Sequence, residues 1–185
     1  PDDIWASIGF HPSHAVTCSD SHVGATFWHH DKNEQASPNP EIFDEKKFRD
    51  LARNPKVVAI GECGLDYYRL KENIEEIKEK QKEVFLSQVI IAEEFNKPLM
   101  IHCRPSSGTD DAYEDLYRLQ TTNSKLQTPS ILHFYVGSLE MTKKFVDAGF
   151  YFTFGGVITF SRDYDEVIKY IPLERILLET DAPYV

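Results

Sequence analysis

Four residues of metal-ligand type stand far apart in the chain, each at the end of an apolar run: Glu62, His102, His133 and Asp181. Glu62 follows Val57-Val58-Ala59-Ile60-Gly61, with Gly64 just beyond it. A carboxylate at the end of a buried strand is costly unless a cation, a proton or a hydrogen-bonding shell offsets its lost hydration. His102 closes Pro98-Leu99-Met100-Ile101, His133 follows Ser130-Ile131-Leu132, and Asp181 comes shortly after Arg175-Ile176-Leu177-Leu178. Taken singly, each has an ordinary explanation. A lone strand-end histidine is more often a hydrogen-bonded structural residue, and Asp181 suits a turn because Ala182 precedes a proline. Taken together, four such residues favour a metal site. Carboxylates with imidazoles suit ions of the Zn, Mn or Mg class, and a carboxylate can bridge two of them. A two-metal site can activate water and clamp the attacking and leaving oxygens of a phosphoester.

Six apolar runs alternate with helical patterns and would position these side chains. The strand readings are Ile4–Phe10, expected to be buried, the Val57 run ending on Glu62, Pro98–Ile101, Ser130–Leu132, Gly149–Phe154 and Arg175–Leu178. The helical readings are Glu41–Arg53, Ile74–Phe95, Asp110–Leu119, Leu139–Ala148 and Tyr164–Tyr170. Ala15–Pro40 has little periodicity, closes on Ser37-Pro38-Asn39-Pro40 and reads as a long loop carrying Trp28, His29 and His30. Such alternation predicts an α/β fold with parallel strands and crossover helices, either a doubly wound sheet or a (β/α)8 TIM barrel. No G-x-G-x-x-G or G-x-x-x-x-G-K-[ST] loop is present. Side-chain chemistry at several strand ends is the barrel arrangement. A complete barrel takes about 250 residues, so six units are what a barrel incomplete at both termini would show. Residues 1–185 read as one domain of this kind.

The composition narrows the partners. Thirty acids against 20 bases give a formal charge of −10, the opposite of a protein that grips nucleic acid with a broad basic surface. A polyanionic substrate would need local cations, which bound divalent metals would supply. No apolar run has the length of a membrane span, and no signal peptide is visible. Cys18, Cys63 and Cys103 are odd in number, widely spaced and free of any C-x-x-C pair. That argues against a disulfide scaffold and suits a reducing compartment, the cytoplasm or the nucleus. No obligate protein partner is implied.

Gly61-Glu62-Cys63-Gly64-Leu65-Asp66-Tyr67, Ile101-His102-Cys103-Arg104, the His133 strand end and Glu179-Thr180-Asp181-Ala182-Pro183-Tyr184 resemble the TatD-like metal-dependent deoxyribonucleases, a family of amidohydrolase-like TIM barrels. The resemblance spans the chain from Ile4 onward, apart from the Ala15–Pro40 stretch. It implies hydrolysis of DNA phosphodiesters with two divalent metal ions. Glu62 would bridge them, His102 and His133 would hold one, and Asp181 would hold the other while orienting the nucleophilic water. Glu62 and Asp181 are therefore the expected catalytic residues. Arg104 would face a substrate phosphate through its planar fork, with a surface ion pair as the alternative. His11, in a turn like the family's His-Pro-His, is expected beside the substrate. The chain also departs from the pattern. The family begins with an H-x-H strand that gives the aspartate's metal two more ligands, and none occurs here. His29 and His30 are adjacent, so on a strand they would point to opposite faces. Ser13 is inserted between His11 and His14, and Val136 stands where a small polar residue is usual. As written, one metal position is short of ligands: either a first strand ending in D-x-H-x-H precedes Pro1, or the protein is a degenerate relative. The alternatives are a small-molecule hydrolase on the same barrel or a binding module without catalysis.

Overall fold

The computed structural model describes residues 2–15, 42–68, 70–122 and 128–182. The long-loop reading, with Trp28, His29, His30 and Cys18, falls outside the described residues except for Ala15. Five strands, β1 (Ala6–Ile8), β2 (Val57–Asp66), β3 (Leu99–Arg104), β4 (Ser130–His133) and β5 (Tyr151–Phe152), form one parallel sheet in chain order. Helices α1 (Glu45–Ala52), α2 (Ile74–Glu94), α3 (Asp111–Thr122), α4 (Leu139–Asp147) and α5 (Asp165–Tyr170) accompany them. An order that follows the chain is the winding of a barrel; a doubly wound sheet reverses direction at a switch point. Among the described residues the sheet is not closed into a ring.

Local chemistry sets several boundaries. Asp44 Oδ1 accepts from the Lys47 N–H at 3.0 Å and starts α1, and Ser138 Oγ accepts from the Met141 N–H at 3.2 Å and starts α4. The helix side of the sheet supplies the core, where Ile60, Leu65, Leu99 and Ile101 pack with Phe85, Leu116 and Phe145, all fully buried. No helix among the described residues is long and apolar enough to cross a membrane.

Three strand expectations need correction. Ile4–Phe10 is not a buried strand: β1 has three residues, and Ile4 and Trp5 are 62% and 57% exposed. It pairs only with β2 among the described residues, so its apolar side chains lack a second neighbour. Arg175–Leu178 does not form a sixth strand either. Ile176 makes one isolated parallel bridge to Phe152, and Leu178 is 99% exposed. Its neighbour β5 has two residues and offers little ladder to extend. Finally, β2 does not stop at Glu62 but runs on to Asp66. Its pairing with β3 steps from Ile60↔Leu99 to Cys63↔Ile101, three residues against two, which is a β-bulge.

Candidate metal centre

The bulge decides where Glu62 points. Paired residues of parallel strands face the same side, and the registers Gly64↔His102, Asp66↔Arg104 and His102↔His133 define one face. Two-residue alternation along β2 puts Glu62, Gly64 and Asp66 on it. Ile60, Cys63 and Leu65 turn to the helix side with Leu99, Ile101 and Cys103. Gly64 is required here: its φ is +138°, and a Cβ would run into the His102 carbonyl.

On this face, the carboxylate of Glu62 is ringed by imidazoles. Its Oε1 lies 2.8 Å from His102 Nδ1, 3.5 Å from His11 Nε2 and 3.9 Å from His133 Nε2. His133 Nε2 is also 3.7 Å from Asp181 Oδ1. The structure thus brings Glu62, His102, His133, Asp181 and His11 together from five separate segments of the chain. Ligand atoms of His11, Glu62 and His102 all fall within 4.8 Å of one another, a spacing that a single ion could span. The resemblance pairs His102 with His133; here the tight triad contains His11, while His133 lies between Glu62 and Asp181. Arg104 shares the face of His102 two residues on, and its guanidinium stacks 3.9 Å from the centre of the Tyr68 ring.

Each imidazole is held by a second group. His11 Nδ1 accepts from the Ser13 N–H at 3.2 Å and lies 2.6 Å from the Ser13 hydroxyl, leaving Nε2 to face the cluster. His102 Nε2 lies 3.0 Å from Asp66 Oδ2, and Asp66 is 3% exposed. His133 Nδ1 bonds to Glu179 Oε2, while Glu179 Oε1 accepts from the Phe134 N–H at 2.9 Å. Phe134 takes a left-handed φ of +47°, turning the chain directly after His133.

Asp66 and Glu179 are functional candidates that the strand-end reading missed. The available signal was period-two alternation. Asp66 lies four residues after Glu62 and Glu179 two before Asp181, so each shares its partner's face on an extended segment. The error came from ending β2 at Glu62.

The electrostatics suit a cation. Burial disfavours the Glu62 carboxylate, but hydrogen bonds from His102 and His11 outweigh it and hold the group well below the usual range. Burial would lower His102; its bonds to Asp66 and Glu62 prevail and lift it to about 9. Burial likewise opposes the charge on His133, and Glu179 and Glu62 raise it. Asp181 is pushed up by burial, with the Glu62 and Glu179 charges adding to it. Four acids (Glu62, Asp66, Glu179, Asp181) thus surround three imidazoles. A cluster of oxygen and imidazole donors with excess negative charge fits divalent cations.

Comparison with known proteins bears on this site. Residues 1–185 match the family described as TatD related DNase. The chain is 34% identical over 186 residues to "Uncharacterized metal-dependent hydrolase YabD" of Bacillus subtilis, covering 100% of this chain and 60% of that protein. It is 32% identical to "3'-5' ssDNA/RNA exonuclease TatD" of Escherichia fergusonii, covering 98% of this chain and 58% of the relative. The crystal structure of YJJV, a TatD homolog from Escherichia coli K12, superposes with a TM-score of 0.68 at 26% identity, over 100% of this chain and 60% of that one. The chain therefore spans less than two thirds of the length of these relatives.

Proposed function

Because the chain belongs to the TatD related DNase family, we propose that it acts as a metal-dependent hydrolase of phosphodiester bonds in DNA. The observation that carries this is the convergence of His102 and His133 on Glu62, with Asp181 against His133 and His11 beside Glu62. A similar protein named as an ssDNA/RNA exonuclease supports a nucleic-acid substrate.

Two divalent ions of the Zn, Mg or Mn class, held by Glu62, His102, His133 and Asp181, would supply charge for the phosphate and acidify a water. Glu62 has the central position a bridging carboxylate needs. Asp181 is 39% exposed at its side chain, open enough to orient the attacking water and take its proton at Oδ1. His11 presents Nε2 and Arg104 its fork to the non-bridging phosphate oxygens. Asp66 and Glu179 fix the planes of His102 and His133. Cations at this face also answer the charge problem, since a protein of charge −10 must grip phosphate locally. Cys63 and Cys103 are free and buried, in keeping with a cytoplasmic or nuclear setting.

The test is cleavage of single- and double-stranded DNA with and without chelator. Chelation should abolish cleavage and added Zn, Mg or Mn restore it, while Glu62→Ala should lower kcat/KM by at least about a hundredfold. Chelator-insensitive cleavage refutes the metal reading, and full metal-dependent cleavage by Glu62→Ala refutes the bridging role.

A further inference from the structure

Helix α2 buries a seam of side chains at heptad-like spacing, Ile77, Gln81, Val84, Gln88 and Ile91. Two of these five are glutamines, 2% and 0% exposed. A buried amide costs about 1–3 kcal/mol unless its hydrogen bonds are met, so a packing role alone would be served better by leucine or methionine. Both amides are engaged through the oxygen and the nitrogen alike, each at a single residue. Gln88 Oε1 accepts from the Phe10 N–H at 2.7 Å and its Nε2 donates to the Phe10 carbonyl at 3.1 Å. Gln81 Oε1 accepts from the Asp66 N–H at 2.8 Å and its Nε2 donates to the Asp66 carbonyl at 3.0 Å. Each side chain acts as a short extra strand, satisfying backbone groups near the end of the sheet. The two residues held are not arbitrary. Phe10 immediately precedes His11, and the Asp66 carboxylate meets His102.

We propose that Gln81 and Gln88 are positioning residues for the metal centre, each clamping the backbone that carries one side of it. Seven residues of helix separate them by about 10.5 Å along the axis. That fixed length sets the separation of the His11 turn from the end of β2, and with it the approach of His11 and His102 to Glu62. The inference rests on the metal-site reading above.

Gln81→Met and Gln88→Met keep the side-chain length and remove both hydrogen bonds. Each should weaken zinc binding by about ten- to a hundredfold, measured by competition with a chromogenic chelator. Imidazole ¹H–¹⁵N spectra of the metal-free protein supply a readout that general loosening would not give. Gln88→Met should move the His11 signals first, and Gln81→Met those of His102. Gln120→Met is the control: Gln120 is also a buried glutamine, on α3, whose Nε2 has no partner among the described residues, and should change neither readout. Should a variant fail to fold, amide exchange in the unmodified protein decides. The Phe10 and Asp66 N–H groups should be strongly protected, and exchange at the rate of an open loop overturns the clamps. Wild-type zinc affinity and unmoved imidazole signals in both variants also overturn them. A protein that takes up no divalent metal at all refutes the reading of the centre and this inference with it.

Discussion

Asp66→Asn exchanges a single oxygen for nitrogen beneath the centre while preserving its shape. Asp66 Oδ1 accepts from the Tyr68 N–H at 3.0 Å, and Oδ2 meets His102 Nε2 at 3.0 Å. Asparagine keeps the first bond through its carbonyl oxygen and turns an NH2 towards the imidazole. One charge-assisted hydrogen bond is lost, at a residue only 3% exposed. Such a bond contributes about 1.5–3 kcal/mol. At about 1.4 kcal/mol per factor of ten, that is roughly a ten- to hundredfold loss of zinc affinity if the bond serves to orient His102. Competition against a chelator of known affinity measures it, with the thermal melt of the metal-free protein reporting the fold. A folded Asp66→Asn protein that binds zinc as tightly as wild type would show that Asp66 does not hold His102 for metal.

Other expectations lie outside the ligand set. Gly64→Ala should cost at least about 2 kcal/mol by urea titration, because a Cβ at φ +138° meets the His102 carbonyl; an unchanged midpoint contradicts the register. For Asp111, burial opposes the charge, but hydrogen bonds from Ser106, Lys78 and Thr109 hold the carboxyl at about 2, below its ordinary 3.8. A depressed folded-state pKa stabilises above the unfolded value and is lost as pH falls through the folded one. Stability should therefore drop between about pH 4 and about pH 2, and Asp111→Asn should flatten that limb by on the order of 1 kcal/mol after solvent screening. Cys63 and Cys103 are buried and burial raises both thiols, so iodoacetamide should label them only after unfolding; labelling of the native protein, mapped by mass spectrometry, would contradict their burial.

The alternation of strand and helix was legible because it is written in local periodicity. Ile74–Phe95 was read almost to the residue against the observed Ile74–Glu94, since a long amphipathic pattern with Phe85, Val89 and Ala92 has few competing readings. The outer strands were not legible in the same way. Ile4–Phe10 and Arg175–Leu178 have strand composition, but pairing depends on neighbours, and among the described residues each meets a partner on only one side. At the centre, the metal-type residues announced themselves by chemistry at run ends. Asp66 and Glu179 act through other side chains and resemble turn acids in the sequence. The two glutamine clamps leave no mark in hydrophobic patterning except as polar interruptions of a buried seam.

The extra residue between Ile60 and Cys63 works as a phase shift in a two-beat rhythm. Just before it, Ile60 looks outward to the helices; after it, Cys63 and Leu65 do. Deleting Gly64, downstream of the bulge, would put the strand out of phase again, turning Leu65 to the site face and Asp66 to the helices. Length in this stretch is therefore as much a determinant of the chemistry as composition, and in a library of indels it should be the least forgiving segment of the chain.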